Sequence, residues 1–157
     1  MREKVTGLSP ISGRPWWSAH PAWAVVAAFV LVERRGNGMK EQVKRALEND
    51  RLVDITTIGR RSGNAHRIEI AFHQIGDKVY IGGLPGRRDW YANIKARPEF
   101  TFHLKQSAQA DMPARAIPIE DEPTRRRILA VLVEKWGREG QLEVFIERSP
   151  LIEVQLS

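Results

Sequence analysis

The stretch that most limits the fold is LVDITTIGRRSGNAHRIEIAF, residues 52–72. Leu52 to Ile58 is dense in β-branched residues, and Arg67 to Phe72 alternates Ile68, Ile70 and Phe72 with Arg67, Glu69 and Ala71. Both are strand patterns, the second with one apolar face. The glycine-bearing segment between them is a short reversal, so an antiparallel pair is required here. That reversal, GRRSGN, holds two glycines, two adjacent arginines and a serine. A turn needs far less.

The remaining periods extend this beginning. Lys40 to Asn49 sets Val43, Ala46 and Leu47 on one face of an amphipathic helix. Gly76-Asp77 marks a turn before a strand over Lys78 to Ile81, and GGLPGRR reads as a loop. Asp89 is the expected N-cap of a short helix, DWYANIKAR, which Pro98 must end. Glu99 to Leu104 alternates Phe100 and Phe102 with Thr101 and His103. Ala108 to Ile119 is a further strand, whose Pro113 and Pro118 argue for an edge or bulged place. Pro123 opens a helix with an apolar stripe of Ile128, Leu129, Leu132, Val133 and Trp136. A shorter helix over Gln141 to Glu147 and a PLIEVQL strand close the order. About six mostly antiparallel strands with flanking helices give a mainly β (α+β) fold, a small barrel with helices outside it.

At 157 residues and 42% hydrophobic content, the chain has one domain's worth of core. Without cysteine it has no disulfides and no thiolate metal sites, which fits a reducing, cytoplasmic setting. The net charge of +6 is split: residues 1–38 hold five basic and two acidic residues, and the other 119 hold 20 against 17. Residues 39–157 are therefore only mildly basic, and no long basic face points to nucleic acid. Residues 1–38 differ in character. Their apolar run, Ala22 to Val32, is short of the ~20 residues a spanning helix needs. Arg2, Lys4 and Arg14 precede it as in a signal peptide, yet Glu33, Arg34 and Arg35 stand where a cleavage site would be. Met39 is the expected initiator of the native protein, since Glu-Arg-Arg-Gly just before it can be encoded by a purine-rich ribosome-binding sequence. A membrane-tethered leader is the alternative, and through it alone would the chain meet a membrane. Intact mass from the native host separates the two.

Standard catalytic arrangements do not match the residues. His66 and His73 lie seven apart on one strand run, on opposite faces, and there is no HExxH. Ser62 has no GxSxG context, and no GxGxxG follows a strand. Neither a metal nor a catalytic nucleophile is expected. What remains is two basic, glycine-bearing loops. GRRSGN offers backbone N–H groups, a hydroxyl and two guanidinium forks, the donors that hold phosphate. LPGRRDWYAN runs into a helix N-terminus, where an anion is favoured, with Trp90 and Tyr91 as flat surfaces for an aromatic ring. Taken singly, each loop is equally well a solvated hairpin or an ordinary capped helix. Together they point to a phosphorylated aromatic ligand.

TTIGRRSG, the strand HRIEIAF, the GG-LPG loop, DWYANIKARPEF and the terminal PLIEVQL strand together resemble the deazaflavin-dependent nitroreductase and quinone-reductase family. The resemblance runs from about Leu52 onward. It implies a flavin-binding split β-barrel and, as cofactor, the deazaflavin coenzyme F420, a hydride carrier with a phosphate-bearing tail. By the same resemblance Arg60, Arg61 and Ser62 bind the phosphate, while His66, Arg67 and Ile68 line the cofactor site. Gly83, Leu84, Pro85 and Gly86, with Asp89, Trp90, Tyr91 and Asn93, form the second cofactor-contacting stretch. A carrier that brings its own chemistry needs no catalytic side chain. The implied activity is reduction of a small electron acceptor (a quinone, enone or nitro-compound) by a monomer or homodimer. An FMN enzyme and a non-catalytic flavin or deazaflavin carrier are the alternatives. The sequence departs from the family pattern in a shorter LPGRRD loop. It also lacks tyrosine in VEKWGREGQLEVFIERS, where Trp136 and Phe145 suit core positions.

Overall fold

The structure, a computed structural model, describes residue 38 and residues 40–157. The leader up to residue 37 and the start at Met39 lie outside the described residues. A helix reaching residue 49 (α1) buries Ala46 completely, with Val43 and Leu47 packed beside it. The strands are β1 (Leu52–Ile58), β2 (Ala65–Ala71), β3 (His73–Ile75), β4 (Lys78–Gly82), β5 (Glu99–Leu104), β6 (Ala110–Pro118) and β7 (Leu151–Leu156). Between them stand α2 (Asp89–Ala96), α3 (Glu122–Lys135) and α4 (Leu142–Arg148), the last entered through a 3₁₀ turn at Glu139–Gln141. All seven strands form one antiparallel sheet in the order β2-β1-β5-β6-β7-β4-β3.

The two edges of this sheet are consecutive in the chain. β2 pairs with β1 and β3 with β4, and only Phe72 separates them. One strand run thus bends across from edge to edge and curls the sheet into a half-barrel. Phe72 makes the corner: it is 2% exposed, stands edge-on to Phe102 at 5.6 Å, and its N–H donates to the Arg51 carbonyl at 3.0 Å. The core inside follows the period of two, with Val53 and Ile55 of β1 facing Phe100, Phe102 and Leu104 of β5. A second cluster packs Ile128, Leu129, Leu132 and Val133 of α3 with Phe145 and Leu151. Phe145 belongs to this cluster as a core residue, and Trp136, 5.7 Å away, is partly buried and packs against it.

Three expectations change. Ile68 does not join the buried face but is 36% exposed, because the half-barrel is open where β2 begins. β6 is no edge: it lies between β5 and β7. Its prolines fall where one neighbour has ended, Pro113 opposite Ser157 beyond β7 and Pro118 past the start of β5, so little pairing is lost. Asp89 is the first helical residue rather than the cap, which is Arg88 and has no side-chain cap bond. There its carboxylate still favours the helix N-terminus.

β3 carries a pH response. The His73 ring packs edge-on to Trp136 at 5.4 Å, and burial, reinforced by Lys135 and Arg51, lowers its pKa from 6.5 to about 4. Above pH 6.5 the ring is neutral whether folded or unfolded. Between 6.5 and about 4 only the unfolded chain takes up the proton, so stability falls as pH falls. Denaturant midpoints for His73→Phe should show a shallower decline over this window than wild type.

Candidate functional site

The β1–β2 turn closes on itself through two backbone bonds: Gly59 N–H donates to the Asn64 carbonyl at 2.8 Å and Gly63 N–H to the Gly59 carbonyl at 2.9 Å. Gly63 has φ +72°, a left-handed conformation that glycine adopts without strain. Gly59 is required for another reason. A Cβ there would lie 2.6 Å from Ser62 Oγ and 2.8 Å from His66 Nε2, so only glycine lets these two groups close over the turn. Asn64 N–H donates to Ser62 Oγ at 3.1 Å.

Helix α2 fastens the turn from the side. Asn93 Oδ1 accepts from the Arg60 backbone N–H at 3.1 Å and from Arg60 Nη1 at 2.9 Å. Its Nδ2 donates to Thr57 Oγ1 at 3.4 Å, and both Asn93 and Thr57 are buried. Arg60 Nη2 lies 3.5 Å from the exposed Asp89 carboxylate. Arg60 is therefore half-anchored, whereas the Arg61 side chain makes no hydrogen bond or ion pair among the described residues. The backbone N–H groups of Arg61 and Ser62 likewise have no partner among the described residues. Asn93→Leu removes both acceptor bonds and should loosen Arg60, while Asn93→Asp keeps them. Anion affinity at the turn, read by isothermal titration with pyrophosphate, should fall about tenfold in the first and at least as far in the second, whose carboxylate neutralises Arg60 and repels the anion.

These residues enclose a cleft of about 460 Å³ lined by Thr57, Gly59, Arg60, Arg61, Ser62, His66, Ile68, Asp89, Trp90 and Asn93. Eight residues expected from the sequence thus come together: Arg60, Arg61, Ser62, His66, Ile68, Asp89, Trp90 and Asn93. Trp90 contributes little surface, since it is 8% exposed and belongs to the core. Arg67, one step along β2 from His66 and Ile68, is not among the lining residues and pairs with Asp54 at 2.9 Å. Gly86 and Tyr91 line a different cleft, across α2, and Gly83, Leu84 and Pro85 line neither. Burial raises the Tyr91 pKa above its usual value, with Lys95 5.6 Å from its ring opposing the rise. Thr57 is a lining residue the sequence reading missed. Its alternation with Val53 and Ile55 already turned it inward.

A curled antiparallel sheet whose two edges are joined by one bent strand run, with a donor-rich turn at its open end, defines a split-barrel protein. A family model described as F420H(2)-dependent quinone reductase matches residues 28–152, and the chain belongs to that family. It is an oxidoreductase that works with coenzyme F420. Among solved structures, an F420-H2 dependent reductase (FDR-A) is 22% identical over 68% of this chain and 95% of its own, with a TM-score of 0.52. Conserved hypothetical protein Rv2991 from Mycobacterium tuberculosis is 12% identical over 74% and 79%, at 0.58. The heme storage protein HutZ from Vibrio cholerae is 14% identical over 74% and 89%, at 0.56. At these identities the structures share the fold alone. Comparison with curated protein sequences gave no match.

The donor set fits the cofactor's phosphate. One anchored guanidinium, one unpaired guanidinium, a hydroxyl and two backbone N–H groups without partners among the described residues converge on a single turn. No helix among the described residues is long and apolar enough to cross a membrane.

Proposed function

We propose that the protein reduces a small electrophile (a quinone, enone or nitro-compound) with coenzyme F420 held at the β1–β2 turn. The observation that carries this reading is the Arg60–Ser62 turn, locked by Asn93 at the rim of a cleft large enough for a tail and part of a ring system. Arg60, Arg61 and Ser62 would hold the phosphate, with His66 and Ile68 forming the β2 wall. When bound, the reduced deazaflavin supplies a hydride. The chain's own contribution is to bind, orient and keep water from the reacting faces. Ile68, exposed at the cleft, gives the cofactor an apolar surface and explains why a strand residue of this kind is left uncovered.

Titration of the purified protein with coenzyme F420 and with FMN, followed by tryptophan quenching, tests the reading together with turnover of reduced cofactor on a quinone, enone and nitro-aromatic panel. Tighter binding of F420 than of FMN, with turnover on at least one acceptor, is the expected result. Preference for FMN, or binding without turnover on any acceptor, would favour an FMN enzyme or a carrier respectively.

A further inference from the structure

Across α2 from the arginine turn lies a cleft of about 970 Å³, more than twice the volume of the first. Residues 86–88, the Tyr91–Lys95 face of α2 and the α4–β7 junction at Arg148–Pro150 form much of its wall. Its charges are unevenly matched. Lys95 is held by Glu120 at 3.0 Å, Arg126 by Glu122 and Glu143, and Arg125 by backbone carbonyls. Arg87 and Arg88 meet no carboxylate among the described residues. Arg88 donates only to the carbonyls of Arg87 and Leu84, so its charge stays uncompensated. Two further groups in the lining are unspent. The Tyr91 hydroxyl has no hydrogen-bond partner among the described residues, and Ser149 Oγ is buried without one.

Two unmatched guanidinium groups at one end of a cleft, with a half-buried tyrosine ring along its side, select a planar molecule that carries an acid group. A neutral, lipid-like acceptor would instead cover charged walls with apolar surface and leave them desolvated. At the start of α2 the two linings are consecutive in the chain, Arg88 belonging to one cleft and Asp89 to the other. We infer that the larger cleft takes the electron acceptor, that this acceptor is a planar quinone or enone bearing a carboxylate or sulfonate, and that Arg87 and Arg88 determine that preference. The inference rests on the reading that the protein reduces a small electrophile. The balance is that of quinone and reduced cofactor giving hydroquinone and oxidised cofactor, with two electrons and two protons transferred.

The test compares kcat/KM for a sulfonated naphthoquinone and for its neutral parent, in wild type and in Arg87→Ala/Arg88→Ala. Each protein is measured with both acceptors, so their different reduction potentials cancel when the variant's ratio is divided by that of wild type. Wild type should favour the sulfonated compound, and the double variant should lose about tenfold or more of that preference. Arg87→Glu, a change on an exposed side chain, should move the ratio the same way if the double variant does not fold. An unchanged ratio overturns the inference. So does a variant that loses affinity for coenzyme F420 instead, because the arginines would then serve the cofactor. If wild type binds F420 but reduces neither acceptor, the reductase reading fails, and equilibrium dialysis of the sulfonated compound decides the site separately. Binding that the double variant loses supports the anion site, and no binding to wild type removes it.

Discussion

Replacing Arg60 and Arg61 together with alanine should weaken coenzyme F420 binding at least ~100-fold. Each charge-assisted bond to phosphate contributes ~1.5–3 kcal/mol, and 1.4 kcal/mol is a factor of ten. The two single variants should differ in a way the sequence alone did not suggest. Arg61 is free of partners among the described residues, so Arg61→Ala should lose affinity while stability moves by less than ~0.5 kcal/mol. Arg60 holds Asn93 at 2.9 Å, and Arg60→Ala should lose affinity and also ~0.5–1.5 kcal/mol of stability. Raising salt should weaken wild-type binding more than that of the double variant. Fluorescence titration and urea unfolding of the same preparations give both quantities. A double variant that binds F420 as tightly as wild type would reduce GRRSGN to a solvated hairpin.

The largest effect on stability should come from Arg125→Leu. The guanidinium is buried, with no carboxylate beside it among the described residues, and donates to four carbonyls: Ile119 at 2.8 Å, Ile146 at 2.7 Å, Ser149 at 2.7 Å and Phe145 at 3.2 Å. Three of these belong to the C-terminal end of α4, where a helix leaves carbonyls unpaired and favours a cation. Removing the fork strands the Ile119, Ile146 and Ser149 carbonyls, at ~1–3 kcal/mol each, while Phe145 keeps the Ser149 N–H at 3.0 Å. That is a large share of the ~5–15 kcal/mol of a typical domain. Arg125→Lys keeps the charge but not the fork, and should fall between wild type and Arg125→Leu in urea melts. A loss below ~1 kcal/mol for Arg125→Leu would mean that water replaces the side chain.

Most of the strand ladder was legible because period-two alternation is local: β1 and β5 begin and end where their patterns do. Alternation names a face, but it does not say which part of a barrel stays open. Ile68 shares its face with Ile70 and Phe72, yet it sits at the open end. β3 was hidden for a similar reason. His73 continues the run of β2 in sequence, and only the bend at Phe72, set by pairing with the distant β4, makes it a separate strand. The candidate site was readable as residue types on the GRRSGN turn but not as geometry. Nothing local places Asn93 against Arg60, 33 positions away. Nor does anything local put Tyr91 in one cleft and Trp90 in another, except that neighbouring helical residues point apart. Arg125 was passed over as one of three arginines in a row. Its spacing to Ile128, Leu129 and Leu132 places it on the buried stripe of α3, and that was the available clue.

The place of β7 in the sheet bears on how the protein is made. It follows every other element in chain order, yet it pairs with β6 on one side and β4 on the other. Until Leu151–Leu156 leaves the ribosome, the growing chain holds a four-stranded piece, β2-β1-β5-β6, and a separate β3–β4 hairpin, which alone is marginal in water. Both expose strand edges that β7 will later cover, which is when a nascent chain is most prone to aggregate. A premature stop anywhere before Leu151 should therefore yield a chaperone client rather than a weakened enzyme.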